Sequence, residues 1–271
     1  MFLRFVKLNP SGNVTVIVLT PVERDKHRDV AAEIMRPYGL GAEQVGFAER
    51  SSDANAIARL QMMGDEFCGN ACRAFGAWLM STSYLGRRLL GDEVEIPIET
   101  SGYDGVLAVR GREQESGLWV SSPMPLPRRI EFLPFKHGYL GFVELPGISH
   151  AVVWDQKPSV GAFREIAEFC KYRETQAFGV MFLDESERHV VPAVWVKETE
   201  SLVWEGSCAS GSIAVASVLA ARDGVKTETL ELGQPGGSLL VRVESDGQTG
   251  GAEISGFVHL VACGRVWVNG L

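Results

Sequence analysis

Two stretches of this chain repeat one design, and that design constrains the fold more than any other feature. The first reads Asp65-Glu66-Phe67-Cys68-Gly69-Asn70-Ala71-Cys72-Arg73-Ala74; the second reads Trp204-Glu205-Gly206-Ser207-Cys208-Ala209-Ser210-Gly211-Ser212-Ile213. Each sets an acidic residue ahead of a cysteine, then small residues, then an apolar run without proline. Such a run predicts a helix with the cysteine at its start. There the first four backbone N–H groups have no intrahelical partner. A helix end of this kind binds anions and lowers the pKa of a thiol. Two copies turned toward one small ligand would offer it two thiols and two anion-binding ends.

The segments around the two motifs are mainly strand-like. Residues 2–8 alternate apolar with basic or polar side chains and residues 13–19 are β-branched, so both read as strands, joined by a turn at Asn9-Pro10-Ser11-Gly12-Asn13. A helix is expected at 27–35, ending before Pro37. Strands follow at 44–49 and 56–62. After the Cys68 helix, which presents Ala71, Ala74, Phe75, Trp78 and Leu79 on one face and should fade at 81–86, strands are expected at 94–99, 105–110 and 117–121. Residues 122–127 hold three prolines and read as an extended linker.

Beyond that linker the order recurs. Strands at 139–145 and 150–154 precede a helix at 160–171, and strands at 178–184 and 190–196 precede the Cys208 helix. That helix should close on Gly224 as a C-cap. Strands at 228–232, 238–243, 252–257 and 260–268 finish the chain. The expectation is an α+β protein of two similar pseudo-symmetric domains, each a β-sheet or barrel wrapped around one central helix. Residues 1–122 form the half carrying Cys68 and residues 123–259 the half carrying Cys208, with the strand at about 260–271 free to return to the first.

Composition narrows the function classes. The 271 residues are 45% hydrophobic, enough for a packed core. A net charge of −8 argues against a nucleic-acid partner. No apolar stretch reaches the roughly 18 residues that would span a bilayer, and the first residues lack the layout of a signal peptide. Five cysteines, an odd number, do not make a disulfide scaffold, which points to a reducing cytoplasm. Cys72, Cys170 and Cys263 read as small buried hydrophobes. Cys68 and Cys72 are spaced like metal ligands, but no second pair accompanies them, so no metal is expected.

Two equivalent activated thiols suit one reaction in particular. Inverting an amino-acid α-carbon needs a base on one face and an acid on the other, and the two exchange roles in the reverse direction. A thiolate and a thiol meet that need. The two helix ends would hold the α-carboxylate and accept charge as it spreads there, so no cofactor is called for.

These residues resemble the diaminopimelate epimerase fold family, the pyridoxal-independent racemases with one cysteine from each of two domains. The resemblance rests on Pro-Ser-Gly-Asn at 10–13, Glu-Gln at 43–44, Cys-Gly-Asn at 68–70, His150, Cys-Ala-Ser-Gly at 208–211 and Pro-Gly-Gly at 235–237. It is nearest to the histidine racemases of staphylopine-type opine metallophore biosynthesis, through Asn-Pro-Ser-Gly-Asn at 9–13, Glu-Gln-Val-Gly-Phe at 43–47, Glu-Phe-Cys-Gly-Asn-Ala at 66–71, Leu-Val-Trp-Glu-Gly-Ser-Cys at 202–208 and Gln-Pro-Gly-Gly-Ser at 234–238. It implies catalysis by Cys68 and Cys208. It also implies a small amino acid held by Asn13, Gln44, Gly69, Asn70, Ala209 and Ser210, with Glu198, or Glu200 one register away, on the α-ammonium. Glu43 is a further candidate for an imidazole, although alternation along a strand would turn it away if Gln44 faces the site. His150 matches a family histidine, as a structural or a ligand-contacting residue. Glu66 and Glu205 read as complements to the helix dipoles, and Arg73 as a surface or interface ion pair. Members often dimerise, so a homodimer is compatible.

The departures bear on substrate. Where diaminopimelate epimerases grip a second amino-acid head, this chain has Gln61, Ile148, Ala177 and Thr199, so that clamp is largely absent. An imidazole is the better guest. Rivals are diaminopimelate epimerase itself, a proline or hydroxyproline epimerase, and, outside catalysis, an amino-acid-binding or thiol-redox protein.

Overall fold

Two helices of this chain are built mostly of apolar and small residues, and a helix of that kind must be enclosed. In the computed structural model, which describes residues 1–81, 92–244 and 250–269, the chain divides into two units, residues 1–123 with 255–271 and residues 124–254.

The first unit runs β1 (Phe2–Pro10), β2 (Thr15–Val18), α1 (His27–Met35), β3 (Gln44–Glu49), β4 (Ala58–Met62), α2 (Gly69–Ser81), β5 (Val94–Thr100), β6 (Leu107–Gln114) and β7 (Gly117–Met124). The last strand of the chain, β16 (Gly251–Trp267), completes it. The strands neighbour one another in the order β1 to β7 and then β16, and β16 pairs back onto β1 from Phe2↔Trp267 to Pro10↔Val258. This makes a closed eight-stranded barrel, which leaves no unpaired edge. Helix α2 packs on β1, β2, β5 and β6, and only Trp78 and Ser81 along it are not buried. Fully buried Phe75 alone is worth roughly 1.5–3 kcal/mol. The parallel pair β2–β3, with Thr15 opposite Gln44, brings the segments just ahead of these two strands side by side.

The second unit runs β8 (Arg129–Phe135), β9 (Gly138–Leu145), β10 (Ile148–Trp154), α3 (Val160–Phe169), β11 (Ala177–Asp184), β12 (His189–Val196), β13 (Ser201–Trp204), α4 (Ala209–Asp223), β14 (Thr227–Gln234) and β15 (Gly237–Glu244). Its strands neighbour in the order β8-β9-β10-β11-β12-β14-β15, with β13 paired on β12. Helix α4 packs on β9, β10, β11, β14 and β15, and Gly211–Ala220 along it are buried. Ser159 caps α3 by accepting the Ala162 N–H, and Gly224 closes α4 at φ 66°.

Several expectations are revised. The run at 122–127 is not wholly a linker, because β7 extends through Met124. Strands β8 and β13 were not expected. One strand, β16, replaces the two expected at 252–257 and 260–268. The expected fading of α2 beyond Ser81 falls in 82–91, outside the described residues. No helix among the described residues is long and apolar enough to cross a membrane.

Candidate active site

Cys68 directly precedes α2, and its sulfur sits over the helix start. The Ala71 N–H donates to Sγ across 3.3 Å, as an oxygen-bearing N-cap residue would receive it. The thiol donates to Oε1 of Gln44 at 2.6 Å. Gln44 is the first residue of β3, and its amide suits either protonation state of the sulfur, since its oxygen accepts from a thiol and its NH2, after a half-turn, donates to a thiolate.

Beside this pair lies a second. Asn13 Nδ2 donates to Glu43 Oε2 at 3.1 Å, and the Glu43 N–H donates to Val14 O at 2.8 Å. Asn13 is only 1% exposed, and its Oδ1 is buried with no hydrogen-bond partner among the described residues. A buried amide oxygen left this way is costly unless a ligand donates to it. The strand-alternation objection to Glu43 does not hold, because β3 begins at Gln44 and Glu43 lies in the segment before it.

Arg73 is not at the surface, and no ion pair holds it among the described residues. It is fully buried, with Nη1 donating to Asn70 Oδ1 at 3.1 Å and Nε to Val120 O at 3.0 Å. Cys72 is a buried residue of α2, as expected, and its desolvated thiol is pushed up to about 12, whereas Cys170 is half-buried and Cys263 is exposed, contrary to expectation.

In the second unit Cys208 is the N-cap of α4 and is 5% exposed. Gln234, at the end of β14, grips it: Oε1 accepts the Cys208 N–H at 2.7 Å while Nε2 donates to Ser212 Oγ at 3.1 Å. Ser212 in turn donates to the Cys208 carbonyl at 2.7 Å. Ser210 Oγ lies 3.6 Å from Cys208 Sγ and 2.9 Å from His150 Nε2. The Cys208 thiol is pushed well up, first by burial and then by the negative charge of Glu205 and a hydrogen bond to it. The Ser210 hydroxyl and the Gly211 N–H pull the other way. Gly211 has no room for a side chain, since a Cβ there would stand 2.1 Å from Met181 Sδ and 3.2 Å from Cys208 Sγ.

Comparisons with known proteins place the chain in a family. A family model described as the histidine racemase CntK N-terminal domain matches residues 2–267. The chain belongs to this family. It is an isomerase of the racemase and epimerase class. A histidine racemase of Fusobacterium nucleatum subsp. nucleatum is 32% identical over 273 residues, covering 98% of this chain and 97% of the relative. A histidine racemase of Staphylococcus aureus is 29% identical over 280 residues and covers 98% of each. A solved hydroxyproline epimerase from Agrobacterium vitis, with bound trans-4-hydroxy-L-proline, superposes with a TM-score of 0.70 at 13% identity, over 98% of this chain and 92% of that one. A PhzF-family phenazine biosynthesis protein of Bacillus anthracis gives 0.68 at 15% identity, over 99% and 100%. At those identities the likeness is one of fold.

Within this histidine racemase family member, the residues expected at the site divide by unit. Cys68, Gly69, Asn70, Gln44, Asn13 and Glu43 gather around the start of α2; Cys208, Ala209 and Ser210 lie at the start of α4, joined by His150. Glu198 and Glu200 do not join them. Both are exposed on the turn between β12 and β13, at the opposite end of that hairpin from the Ala193↔Trp204 pair that leads to Cys208. Glu205 is the acidic residue beside the second thiol. Sequence reasoning assigned Gln234 no role, although it opens the Gln-Pro-Gly-Gly-Ser run, and it misjudged Arg73. Among the described residues no three His, Cys, Asp or Glu side chains form a metal-binding group.

Proposed function

We propose that this chain racemises histidine without a cofactor, using Cys68 and Cys208 as the acid–base pair. The observation that carries the reading is the matched placement of the two cysteines, each at the start of an enclosed helix, in a chain that aligns with the family along nearly its whole length. One thiolate removes the α-proton and the other thiol supplies a proton to the opposite face, so the configuration inverts. The N–H groups at Gly69 and Asn70, and at Ala209 and Ser210, hold the α-carboxylate and stabilise the negative charge that spreads into it. Gln44 orients the first thiol.

Asn13 and Glu43 grip the polar end of the substrate. The unpartnered Asn13 Oδ1 accepts an N–H, and Glu43 supplies the negative charge an imidazole or ammonium needs. The relatives are named as histidine racemases, and the absent distal clamp at Gln61, Ile148, Ala177 and Thr199 favours a side chain without a second amino-acid head. On the same reading the two units are duplicated α+β domains, residues 1–122 and 123–259 with a returning last strand, and the protein works as a cytoplasmic enzyme, compatibly a homodimer. The D-histidine would feed opine metallophore assembly.

The test is proton exchange in heavy water. L-Histidine, L-proline, trans-4-hydroxy-L-proline and L,L-diaminopimelate are incubated with the enzyme and the α-proton signal is followed by NMR, with chiral chromatography of the products. Histidine should exchange and racemise, and diaminopimelate should turn over slower by roughly 10³ or more, because its distal charges find no partners. Turnover of proline or diaminopimelate at the rate of histidine would overturn the assignment.

A further inference from the structure

The largest fully buried side chain among the described residues is a cation that no carboxylate there pairs with. Arg73 lies five residues after Cys68 on α2 and is 0% exposed. Beyond Asn70 and Val120, its Nη2 donates to Ser11 Oγ at 3.3 Å and to Phe257 O at 3.4 Å. All four partners are neutral, and no carboxylate pairs with it among the described residues. Burying a guanidinium in this way costs far more than burying a neutral donor of the same reach. Its bonds alone do not explain why a charge stands there.

Of the acidic groups near the start of α2 among the described residues, Glu43 accepts from Asn13 Nδ2 and Glu66 from the Gly64 N–H, and the one whose charge acts on Arg73 is Cys68. Charged side chains on the strands against α2 point elsewhere: Arg4, Glu95, Arg110, Arg112 and Glu113 are exposed. Lys7 donates to Leu40 O, and Glu99 is taken up by Ser51 and Ser52. On α2 itself, Cys72 stays a neutral thiol. The group whose ionisation supports the Arg73 charge is Cys68, while burial draws the guanidinium down to about 9, still charged at neutral pH. Attraction of this kind is mutual, so the guanidinium supports the Cys68 thiolate equally.

The second helix start is built the opposite way. The residue five beyond Cys208 is Ile213, buried and apolar, and the charged group at that thiol is the Glu205 carboxylate. A cation favours a thiolate at one helix start, and an anion favours a thiol at the other.

We propose that Arg73 is a positioning residue that holds Cys68 as the resting thiolate of the pair, by its unneutralised charge and its hold on Asn70, while Cys208 rests as the thiol. This rests on the two-thiol reading above. In the forward step the α-proton passes to Cys68 Sγ and the Cys208 S–H proton passes to the carbanion. That leaves Cys68 a thiol and Cys208 a thiolate beside Glu205. The charges at the two helix starts then favour return of the resting state by proton exchange with water.

The experiment reads the thiol directly and needs no substrate. The iodoacetamide alkylation rate at Cys68 is followed against pH by peptide mass spectrometry in the full-length protein. Its midpoint in the wild type should lie a unit or more below the roughly 8.5 of a free cysteine. Arg73→Gln should raise the midpoint by about a unit or more, a ~10-fold loss of rate at pH 7, and Arg73→Lys, which keeps the charge, should restore most of it. Where Arg73→Gln does not melt cooperatively, Ser11→Asp decides. It sets a carboxylate against the guanidinium at a φ of 60° that Asp tolerates, and should raise the midpoint, while Ser11→Ala leaves it in place. An unchanged midpoint in folded Arg73→Gln, or in Ser11→Asp relative to Ser11→Ala, overturns the proposal. Failure to racemise histidine would instead overturn the function while leaving the midpoint where it is.

Discussion

His150 Nε2 lies 2.9 Å from Ser210 Oγ, and the imidazole it belongs to is fully buried, so that burial pushes it down to about 3. It is neutral throughout the range in which a thiol pair would work. As an unfolded side chain it titrates near 6.5, so between about pH 6.5 and 3 the unfolded chain binds a proton that the folded chain refuses. The stability this site contributes is therefore complete above about pH 6.5 and is lost as the pH falls toward 3. Urea unfolding at pH 7 and pH 5 should show a loss about 2 kcal/mol larger in the wild type than in His150→Gln, which has no titrating group. Equal losses in the two proteins would place His150 in contact with water.

Gln234 holds the second helix start by both ends of its amide, accepting from Cys208 N and donating to Ser212 Oγ. Gln234→Leu leaves that N–H and hydroxyl inside the protein without their amide partner. Loss of stability of about 1–3 kcal/mol is expected, with activity falling further because the cysteine backbone is no longer pinned. A chemical-denaturation curve and kcat measured on the same preparation check this. Unchanged kcat would mean that the grip is dispensable.

Glu205 pushes the Cys208 thiol upward, second only to burial. Glu205→Gln removes that charge, so the alkylation midpoint of Cys208, measured in a Cys68→Ser background, should fall while staying above that of a free cysteine. An upward or absent shift would show that Glu205 does not act on the sulfur.

Where local chemistry decided structure, it could be read from the sequence. Helix α1 spans the expected residues His27–Met35 and stops before Pro37, and β3 spans the expected Gln44–Glu49. The two enclosed helices were equally plain, since an apolar run rich in small residues has nowhere else to go. The edge strand β8 was hidden by Pro125, Pro127 and Pro134 around it and by side chains that are exposed or half-buried along its length. The four-residue β13 exists through its pairing with β12 across the turn at 197–200, and it is too short to show a pattern of its own.

At the site, the cysteines and the residues flanking them were legible, and the partners brought by tertiary contact were less so. Arg73 sits where helical spacing gives no hint of burial, because its guanidinium reaches Ser11, Val120 and Phe257 from three other segments. Glu43 was a candidate from the sequence with strand alternation against it, and it lies beside Asn13 because β3 begins only at Gln44. Glu198 and Glu200 were chosen for their nearness to Cys208 in sequence, and the β12–β13 turn places them at the end of the hairpin away from the Ala193↔Trp204 pair.

The central claim is that two thiols divide the two faces of one α-carbon, and single-thiol variants in heavy water test it most directly. Cys68→Ser and Cys208→Ser should each lose nearly all racemisation, because a serine hydroxyl is a far poorer base at neutral pH. Each should still exchange the α-proton of one enantiomer of histidine, returning deuterium to the face it came from. The two variants should prefer opposite enantiomers, one exchanging the L form and the other the D form. Racemisation by either variant at close to the wild-type rate, or the same enantiomer preference in both, would contradict the account.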